Sequence, residues 1–422
     1  MPDAKVADVA HTILLASTIN WPVASRMAIR FAQAGCRVAA IYPSNAHPLA
    51  DTQSVSAHYR FSLFRPQKAL LRAIRASGAQ IVLPCDDGAL DQMHGLYAEL
   101  TKREDGDVAA KIIERSLGDP RSFPILASRH AVQCAARAEG LSAAESAAIE
   151  KLEDFDLLAN STSFPWMVKT DHSWGGVGVS LVSSVREARS FMQRAGVWRN
   201  LPSSLKQLFV NGNRFWLRDL IRRPRSAISV QRFAPGQPAN TVVSCWEGEV
   251  LALISVQVLN TTGLTGPAAS VRIFENKQME ETVRRMVHKL GLSGFHGFDF
   301  VLDEESGDAS LIEINSRCAP PCHLNAGPEH DLVAAYYRRW RGISPRAQAA
   351  LHQDRAVIYF PQCWQADPMH PMLDSPAHDA PQEDPQLSCR LMQLARRDSL
   401  YAQFKADMTS LLKFRRVPDE AS

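Results

Sequence analysis

Residues 295–317 read FHGFDFVLDEESGDASLIEINSR and predict a β-hairpin. In the first half, apolar and polar residues alternate, which is typical of a strand with one buried face. The acidic segment 303–310 contains Gly307, a residue that suits a tight turn. The returning strand carries Glu313 and Asn315. Because these two residues are two positions apart on a strand, we expect them to project from the same face.

Asp299 lies on the first strand, from which it could reach Glu313 and Asn315 across the hairpin. Two carboxylates and one amide oxygen form a set of hard ligands, which suits Mg²⁺, with Mn²⁺ as an alternative. A solvated acidic face is the other interpretation of these residues. The prediction for Asp299 depends on register, because a shift of one residue would turn its side chain to the other face.

Bulk composition limits the classes of partner. The chain has 422 residues, with 47 Lys and Arg against 44 Asp and Glu, a net charge of +3 that gives no reason to expect nucleic acid or a membrane as partner. No apolar run is long enough to span a bilayer, and residues 1–17 fit a strand better than a signal peptide. The eight cysteines are scattered apart from Cys318 and Cys322, so we expect reduced thiols and a cytoplasmic location.

Strand and helix patterns alternate through residues 1–114, which predicts a parallel, Rossmann-like sheet. The loop after the first strand has no glycine fingerprint, so dinucleotide binding is not predicted. The predicted strands are 12–17, 38–42 and 81–84, and the predicted helices are 21–34 and 64–77.

Asp86 and Asp87 follow the third of these strands, at the edge where open α/β sheets place ligands. They could contact a substrate. A cap on the helix that begins near Gly88 is the interpretation we favour.

A second informative stretch, residues 164–182, reads FPWMVKTDHSWGGVGVSLV. An apolar strand ends in Lys169 and is followed by Gly175, Gly176 and Gly178. A lysine charge beside glycines suits a phosphate clamp, because backbone N–H groups without a neighbouring Cβ can approach phosphate oxygens. The lysine precedes the glycines, so this is not a Walker loop, and an ordinary flexible turn is the alternative.

The remaining patterns predict an α+β region. The strand at 269–273 carries Arg272, a candidate for binding a substrate carboxylate or phosphate, although a surface pair with Glu275 fits it nearly as well. The predicted helices are 128–140, 142–159, 185–195 and 277–290, and the other predicted strands are 227–233, 241–245 and 249–258.

Three motifs in this order resemble the ATP-grasp superfamily of ADP-forming carboxylate–amine ligases. They are Lys169 with its glycine loop, QRFAPG at 231–236, and FDF…EIN in the hairpin. The resemblance covers about 115–335 and implies an ATP-grasp fold, in which two α+β subdomains clamp a nucleotide.

The same resemblance implies the domain organisation. The Rossmann-like region 1–114 resembles the domain that precedes the ATP-grasp domain in that family. The lid subdomain would span about 125–230. Residues 336–422 would form an extension, partly irregular and helical in the second half of 385–414, that either packs over the site or contributes to a homodimer.

The resemblance also implies a role for each candidate residue. ATP would contact Lys169, Arg129 and the backbone of Gly175, Gly176 and Gly178, with the adenine against Gln231, Arg232 and Phe233; Mg²⁺ would bind Asp299, Glu313 and Asn315; Arg317 would act on the transferred phosphate and Arg272 on the substrate.

This chain departs from the family pattern at three places. Arg129 stands where a lysine is usual, and Gln231 with Arg232 stands where the hinge usually has a glutamate. Asn240 stands near the place of a ribose-binding glutamate.

The function implied is an ATP-dependent ligase that activates a small-molecule carboxylate as an acyl phosphate and joins it to an amine. A kinase-like ATP-grasp enzyme and a non-catalytic nucleotide-binding protein are the alternatives. Cys318, Cys322 and His323 suggest either metal or disulfide chemistry, or, as we prefer, a loop on the substrate side. There His323 would be either a proton acceptor for the amine or an ordinary loop histidine.

Overall fold

In a computed structural model, the described residues form three β-sheets with flanking helices. They are residues 11–102, 106–170, 178–194, 227–262, 266–327, 330–344, 354–370, 373, 375 and 377–414. The strands are β1 (Thr12–Ala16), β2 (Arg37–Tyr42), β3 (Ala57–Arg60), β4 (Ile81–Pro84), β5 (Ser146–Ile149), β6 (Trp166–Thr170), β7 (Val179–Val182), β8 (Ile228–Arg232), β9 (Gln237–Trp246), β10 (Glu249–Thr261), β11 (Ala268–Ile273), β12 (Gly294–Leu302), β13 (Ala309–Asn315) and β14 (Ala356–Ile358). The α-helices are α1 (Pro22–Gln33), α2 (Pro66–Ser77), α3 (Asp87–Leu100), α4 (Val108–Leu117), α5 (Phe123–Leu126), α6 (Arg129–Ala138), α7 (Asp154–Ala159), α8 (Val185–Arg194), α9 (Lys277–Leu290), α10 (Leu332–Trp340), α11 (Gln362–Ala366) and α12 (Pro385–Phe414).

The N-terminal sheet is parallel and has the strand order β3-β2-β1-β4. Ile13 and Leu15 point to one side, into a core with α1, while Leu14 and Ala16 point to the other, into a core with α2, α3 and α4. A strand buried on both faces has a continuous apolar sequence, as TILLA has here. The predicted Rossmann-like, parallel-sheet domain is confirmed.

The central sheet has six strands in the order β13-β12-β9-β10-β11-β14, all antiparallel. One face packs on α9, whose Met279, Val283 and Met286 are fully buried. The opposite face shares a core with α1 and α10. The N-terminal domain therefore packs directly on the sheet that carries the hairpin.

A smaller antiparallel sheet, β5-β8-β6-β7, carries Lys169 on β6. The predicted helix 142–159 is wrong in its first half, where β5 pairs with β8. Its alanines favour a helix, but the strand buries Ile149 in the core of this sheet, and that tertiary packing outweighs local propensity.

The segment after α10 contacts both the central sheet and the N-terminal domain. β14 pairs with β11 at the edge of the central sheet. Asp384 caps α12 by accepting the Leu387 N–H at 3.0 Å, and it also accepts the Thr52 Oγ1 hydrogen at 2.8 Å. The helix spans Pro385–Phe414, whereas the sequence predicted a helix only in the second half of this range. None of the described helices combines the length and hydropathy needed to cross a bilayer.

A buried network fixes the carboxyl edge of the N-terminal sheet. Asp86, at the N-cap of α3, accepts hydrogen bonds from Ser17 Oγ at 2.8 Å, Thr18 Oγ1 at 2.6 Å and the Ala89 N–H at 2.9 Å. His47 Nε2 lies 3.0 Å from the same Ser17 hydroxyl. Asp86 therefore holds the loop after β1 against the first turn of α3, which confirms the predicted cap.

We expect Asp86→Ala to lower the free energy of unfolding by about 2–3 kcal/mol, because the buried donors of Ser17, Thr18 and Ala89 lose their acceptor. Urea denaturation followed by tryptophan fluorescence measures this loss. The control is Asp156→Ala, which removes a half-exposed partner of an arginine and should change stability by less than about 1 kcal/mol. Equal losses in the two variants would contradict the prediction.

Candidate active site

The predicted hairpin is present, and its register brings the candidate metal ligands together. β12 and β13 pair antiparallel with Asp299 opposite Glu313. The Asn315 amide donates from Nδ2 to Asp299 Oδ2 at 2.8 Å, and the Asn240 amide donates from Nδ2 to Asp299 Oδ1 at 2.5 Å. Asp299, Glu313 and Asn315 therefore lie at one site.

Gly297 allows this close packing. A Cβ atom at this position would lie 3.0 Å from the Ala319 Cβ and 3.5 Å from Asn240 Nδ2. Because Gly297 is paired with Asn315 across the strands, a larger residue would push directly on the ligand set.

Two amides hold β13 in place on the side of the smaller sheet. Gln133 Nε2 donates to the Ile312 carbonyl at 2.7 Å, and Gln231 Nε2 donates to the same oxygen at 3.2 Å. Both glutamines are buried. The predicted hinge residue Gln231 therefore contacts the strand of Glu313, and so links the two sheets.

Arg129 is the cation in direct contact with Glu313. It is the first residue of α6, which begins at the Ser128 cap. Its Nε and Nη2 groups lie 3.0 and 2.9 Å from Glu313 Oε1, and its Nη1 donates to the Thr170 carbonyl. The guanidinium therefore bridges the hairpin and the strand of Lys169.

Lys169 is buried at the end of β6, 6% exposed. Burial lowers the pKa of its ammonium group, and the Glu313 carboxylate opposes that change. For Glu313, burial acts to raise the pKa, but Arg129 and Lys169 outweigh it, so the pKa lies below its ordinary value. Burial raises the pKa of Asp299 to about 6, with the Glu313 charge adding to the rise. Glu313 is thus the better stabilised of the two carboxylates.

Arg317 lies on the other side of the ligand set. Its Nη2 donates to Asn315 Oδ1 at 3.1 Å, and its Nε donates to Asp87 Oδ2 at 2.9 Å. Burial acts to lower the pKa of Arg317, but the Asp87 carboxylate outweighs it and the pKa is raised. The guanidinium is therefore firmly charged.

A pocket opens beside this cluster, between α3, α6 and the end of β13. One wall of the pocket is a single face of α3, on which Asp87, Asp91 and His94 lie at helix positions i, i+4 and i+7. The polar residues that line the pocket are Asp87, Asp91, His94, Arg129, Glu313, Asn315 and Ser316.

Other predicted residues lie elsewhere or outside the described residues. Arg232 is exposed and Phe233 is 38% exposed, at the end of β8. Gly178 is described at the start of β7, where its carbonyl accepts the Thr170 N–H at 2.9 Å. Gly175 and Gly176, and with them most of the predicted phosphate-covering loop, lie outside the described residues.

The structure does not bring Arg272 to the cluster. Asp299, Asn240, Val256 and Ile273 occupy matching positions across four strands and so share one face. Arg272 is next to Ile273 and projects, exposed, from the other face. Arg272 therefore lies on the side of the sheet opposite to Asp299.

The His323 side chain contacts the C-terminal segment. Its Nε2 lies 2.9 Å from Asp379 Oδ2, and Arg26 of α1 lies 3.5 Å from Asp379 Oδ1. Cys318 and Cys322 are free, buried thiols. These contacts favour a structural role for this loop.

Sequence reasoning underrated Asp87 and Asn240, because both act through residues that are distant in the chain. Asp87 is 230 residues from Arg317, and Asn240 is 59 residues from Asp299. The position of Asp87 at the edge of a parallel sheet was the signal available for it.

Comparisons with known proteins agree with this architecture. Residues 156–321 match the family model of an ATP-grasp domain. No curated protein sequence matches the chain.

Solved structures with the same fold cover most of the chain. The 2-oxoglutarate carboxylase biotin carboxylase domain of Hydrogenobacter thermophilus, in complex with MgADP, ADP and bicarbonate, has a TM-score of 0.57 at 14% identity and covers 82% of this chain and 73% of that one. N5-carboxyaminoimidazole synthetase from Staphylococcus aureus, with ADP, has a TM-score of 0.57 at 11% identity and covers 83% of each chain. The Aspergillus clavatus carboxyaminoimidazole ribonucleotide synthase, with ATP, has a TM-score of 0.57 at 16% identity and covers 82% of this chain and 80% of that one.

At these identities the likeness concerns the fold, and the fold agrees with the motifs at Lys169 and in the hairpin. Residues 156–321 match an ATP-grasp domain, and a parallel, Rossmann-like sheet precedes them in the chain.

Proposed function

We propose that the protein is an ATP-dependent ligase that activates a small-molecule carboxylate as an acyl phosphate and joins it to an amine. One observation carries this proposal. Three cations, Lys169, Arg129 and Arg317, surround the oxygen ligands Asp299 and Glu313 beside a polar pocket. Such a site can neutralise phosphate charge, which is the main task in phosphoryl transfer.

The donor set fits Mg²⁺. Two carboxylates and the Asn315 amide converge, and Mg²⁺ takes one or two carboxylates and completes its shell with water and phosphate oxygens. No group of three or more His, Cys, Asp or Glu side chains among the described residues is placed to hold a metal, which argues against an all-protein cage. The Asn240 Oδ1 atom is buried without a donor from the described residues, and it adds a hard oxygen beside Asp299.

The nucleotide would lie between the smaller sheet and the central sheet. Lys169 and Arg129 would contact the phosphates, while residues 231–233 would face the adenine. Mg²⁺ held by Asp299, Glu313 and Asn315 would neutralise the charge on the β- and γ-phosphates. The structures with MgADP, ADP and ATP named above share this fold, which supports the binding of a nucleotide by this fold.

The chemistry would run in two displacements. A carboxylate oxygen attacks the γ-phosphorus in line, the bond to the bridging oxygen breaks, and ADP leaves. The amine nitrogen then attacks the carbonyl carbon of the acyl phosphate, inorganic phosphate leaves and the nitrogen loses a proton. Arg317 would bind the phosphate oxygens in both steps, because a guanidinium matches a tetrahedral oxyanion in charge and geometry.

Two features support a ligase over a kinase-like enzyme. Arg317 lies beyond the metal ligands and beside the pocket, where an acyl phosphate would have to wait for its amine. One structure of the same fold holds bicarbonate, an oxyanion that resembles a carboxylate, together with MgADP.

We expect Mg²⁺-dependent ADP release when ATP is mixed with the right acid and amine, and a screen over amino acids and other small carboxylates would find that pair. Glu313→Ala should lower this rate at least about 100-fold, since metal stabilisation of the transferred phosphoryl group contributes several kcal/mol. Glu305→Ala, an exposed glutamate in the same hairpin, is the matched control and should keep the rate. No ADP release with any acid, or equal rates in the two variants, would overturn the proposal.

A label in the substrate tests the acyl phosphate. When the carboxylate carries ¹⁸O, we expect one ¹⁸O atom in the released phosphate, because the attacking oxygen stays on phosphorus when the amine displaces it. Mass spectrometry of the phosphate measures the label. Phosphate that takes its oxygen from water would contradict the mechanism, and so would a phosphorylated product that releases no phosphate.

A further inference from the structure

One ion pair in the site joins two domains. Asp87 belongs to the first turn of α3 in the N-terminal domain, and Arg317 follows β13 of the central sheet. Arg317 Nε donates to Asp87 Oδ2 at 2.9 Å. The Arg317 side chain is 16% exposed and the Asp87 side chain 25% exposed. A charge-assisted bond that is largely shielded from water holds a geometry better than a surface ion pair does.

The backbone that carries Asp87 is fixed by contacts on both sides. Its neighbour Asp86 is fixed by bonds from Ser17, Thr18 and Ala89. On the other side, a Cβ atom at Gly88 would lie 2.3 Å from Thr18 Oγ1, so the helix start is pressed against the loop after β1. The Asp87 carboxylate is therefore presented from a fixed point.

The other end of the pair reaches the metal ligands. Arg317 Nη2 donates to Asn315 Oδ1 at 3.1 Å, and Asn315 Nδ2 donates to Asp299 Oδ2 at 2.8 Å. A long side chain such as arginine has several rotamers, and a contact at Nε together with one at Nη2 selects among them. The orientation of Arg317 therefore depends on one residue from each domain.

We propose that Asp87 is a positioning residue, which holds the Arg317 guanidinium in the orientation needed at the transferred phosphate. The proposal rests on the function proposed above, because that function gives Arg317 its role. It adds that the N-terminal domain takes part in catalysis through one carboxylate.

The activity test compares Asp87→Asn with Asp87→Glu and with Glu99→Gln. Glu99 is exposed and lies about 18 Å farther along the same helix, so its substitution matches the charge change without touching the site. We expect Asp87→Asn to lower kcat about 10- to 100-fold with little change in KM for ATP, since a misplaced catalytic group loses rate rather than ground-state binding. Asp87→Glu should keep part of the rate that Asp87→Asn loses. Glu99→Gln should leave kcat unchanged.

A double variant separates positioning from general damage. Adding Asp87→Asn to Arg317→Lys should lower kcat little below that of Arg317→Lys alone, because a positioning residue has no effect once its partner is changed. Multiplied losses would overturn the proposal, as would an unchanged kcat in Asp87→Asn. A raised KM for the carboxylate or amine at constant kcat would instead make Asp87 a substrate ligand, and would also overturn it.

A second readout needs no activity. Phenylglyoxal modifies arginine side chains, and peptide mass spectrometry follows Arg317 in the whole protein. We expect Asp87→Asn to speed modification of Arg317 about tenfold, because a shielded bond to a charged group is lost, while Glu99→Gln leaves the rate unchanged. An unchanged rate in Asp87→Asn overturns the positioning role even if the enzyme is active. A faster rate in a protein that forms no ADP upholds the contact and counts against the proposed function alone.

Discussion

The site depends on two carboxylates that face each other across neighbouring strands. Asp299 and Glu313 are directly opposed, and like charges in such positions repel and destabilise a sheet. Burial increases the penalty, because it removes the water that would screen them. The cations Lys169, Arg129 and Arg317 offset this repulsion from three sides. Most of the other contacts described at the site hold these charged side chains in position.

The counter-charges come from different parts of the fold, so the site exists only when those parts are assembled. Arg129 comes from the start of α6, Lys169 from the smaller sheet, and Arg317 from the chain just beyond the hairpin. A change in the relation between the smaller sheet and the central sheet must therefore alter the electrostatics at Glu313. In the proposed function, phosphates bound by Lys169 and Arg129 would couple to any movement of the two sheets.

The local part of this architecture could be predicted from the sequence. The rest could not, for physical reasons that can be named. Alternation in the hairpin and the turn at Gly307 were enough to predict β12, β13 and the approach of Asp299 to Glu313, because strand pairing is local there. Buried apolar runs predicted three of the four strands of the parallel sheet, but not β3, whose sequence AHYR has no apolar run. The partner of Asp87 could not be predicted, because no periodicity links residues 230 positions apart. The side of the sheet on which Arg272 lies could not be predicted, because it depends on register through three intervening strand pairs.

The late addition of β14 has a consequence for biosynthesis. The strand that covers β11 begins about 80 residues after β11 ends, so ribosomes at about 5–20 residues per second need roughly 4–16 s to supply it. During that interval the outer edge of β11 carries backbone groups that can pair with another chain. The edge of β11 therefore stays open to pairing with another chain until residues 356–358 arrive, and a chaperone that shields sheet edges would be useful in that interval.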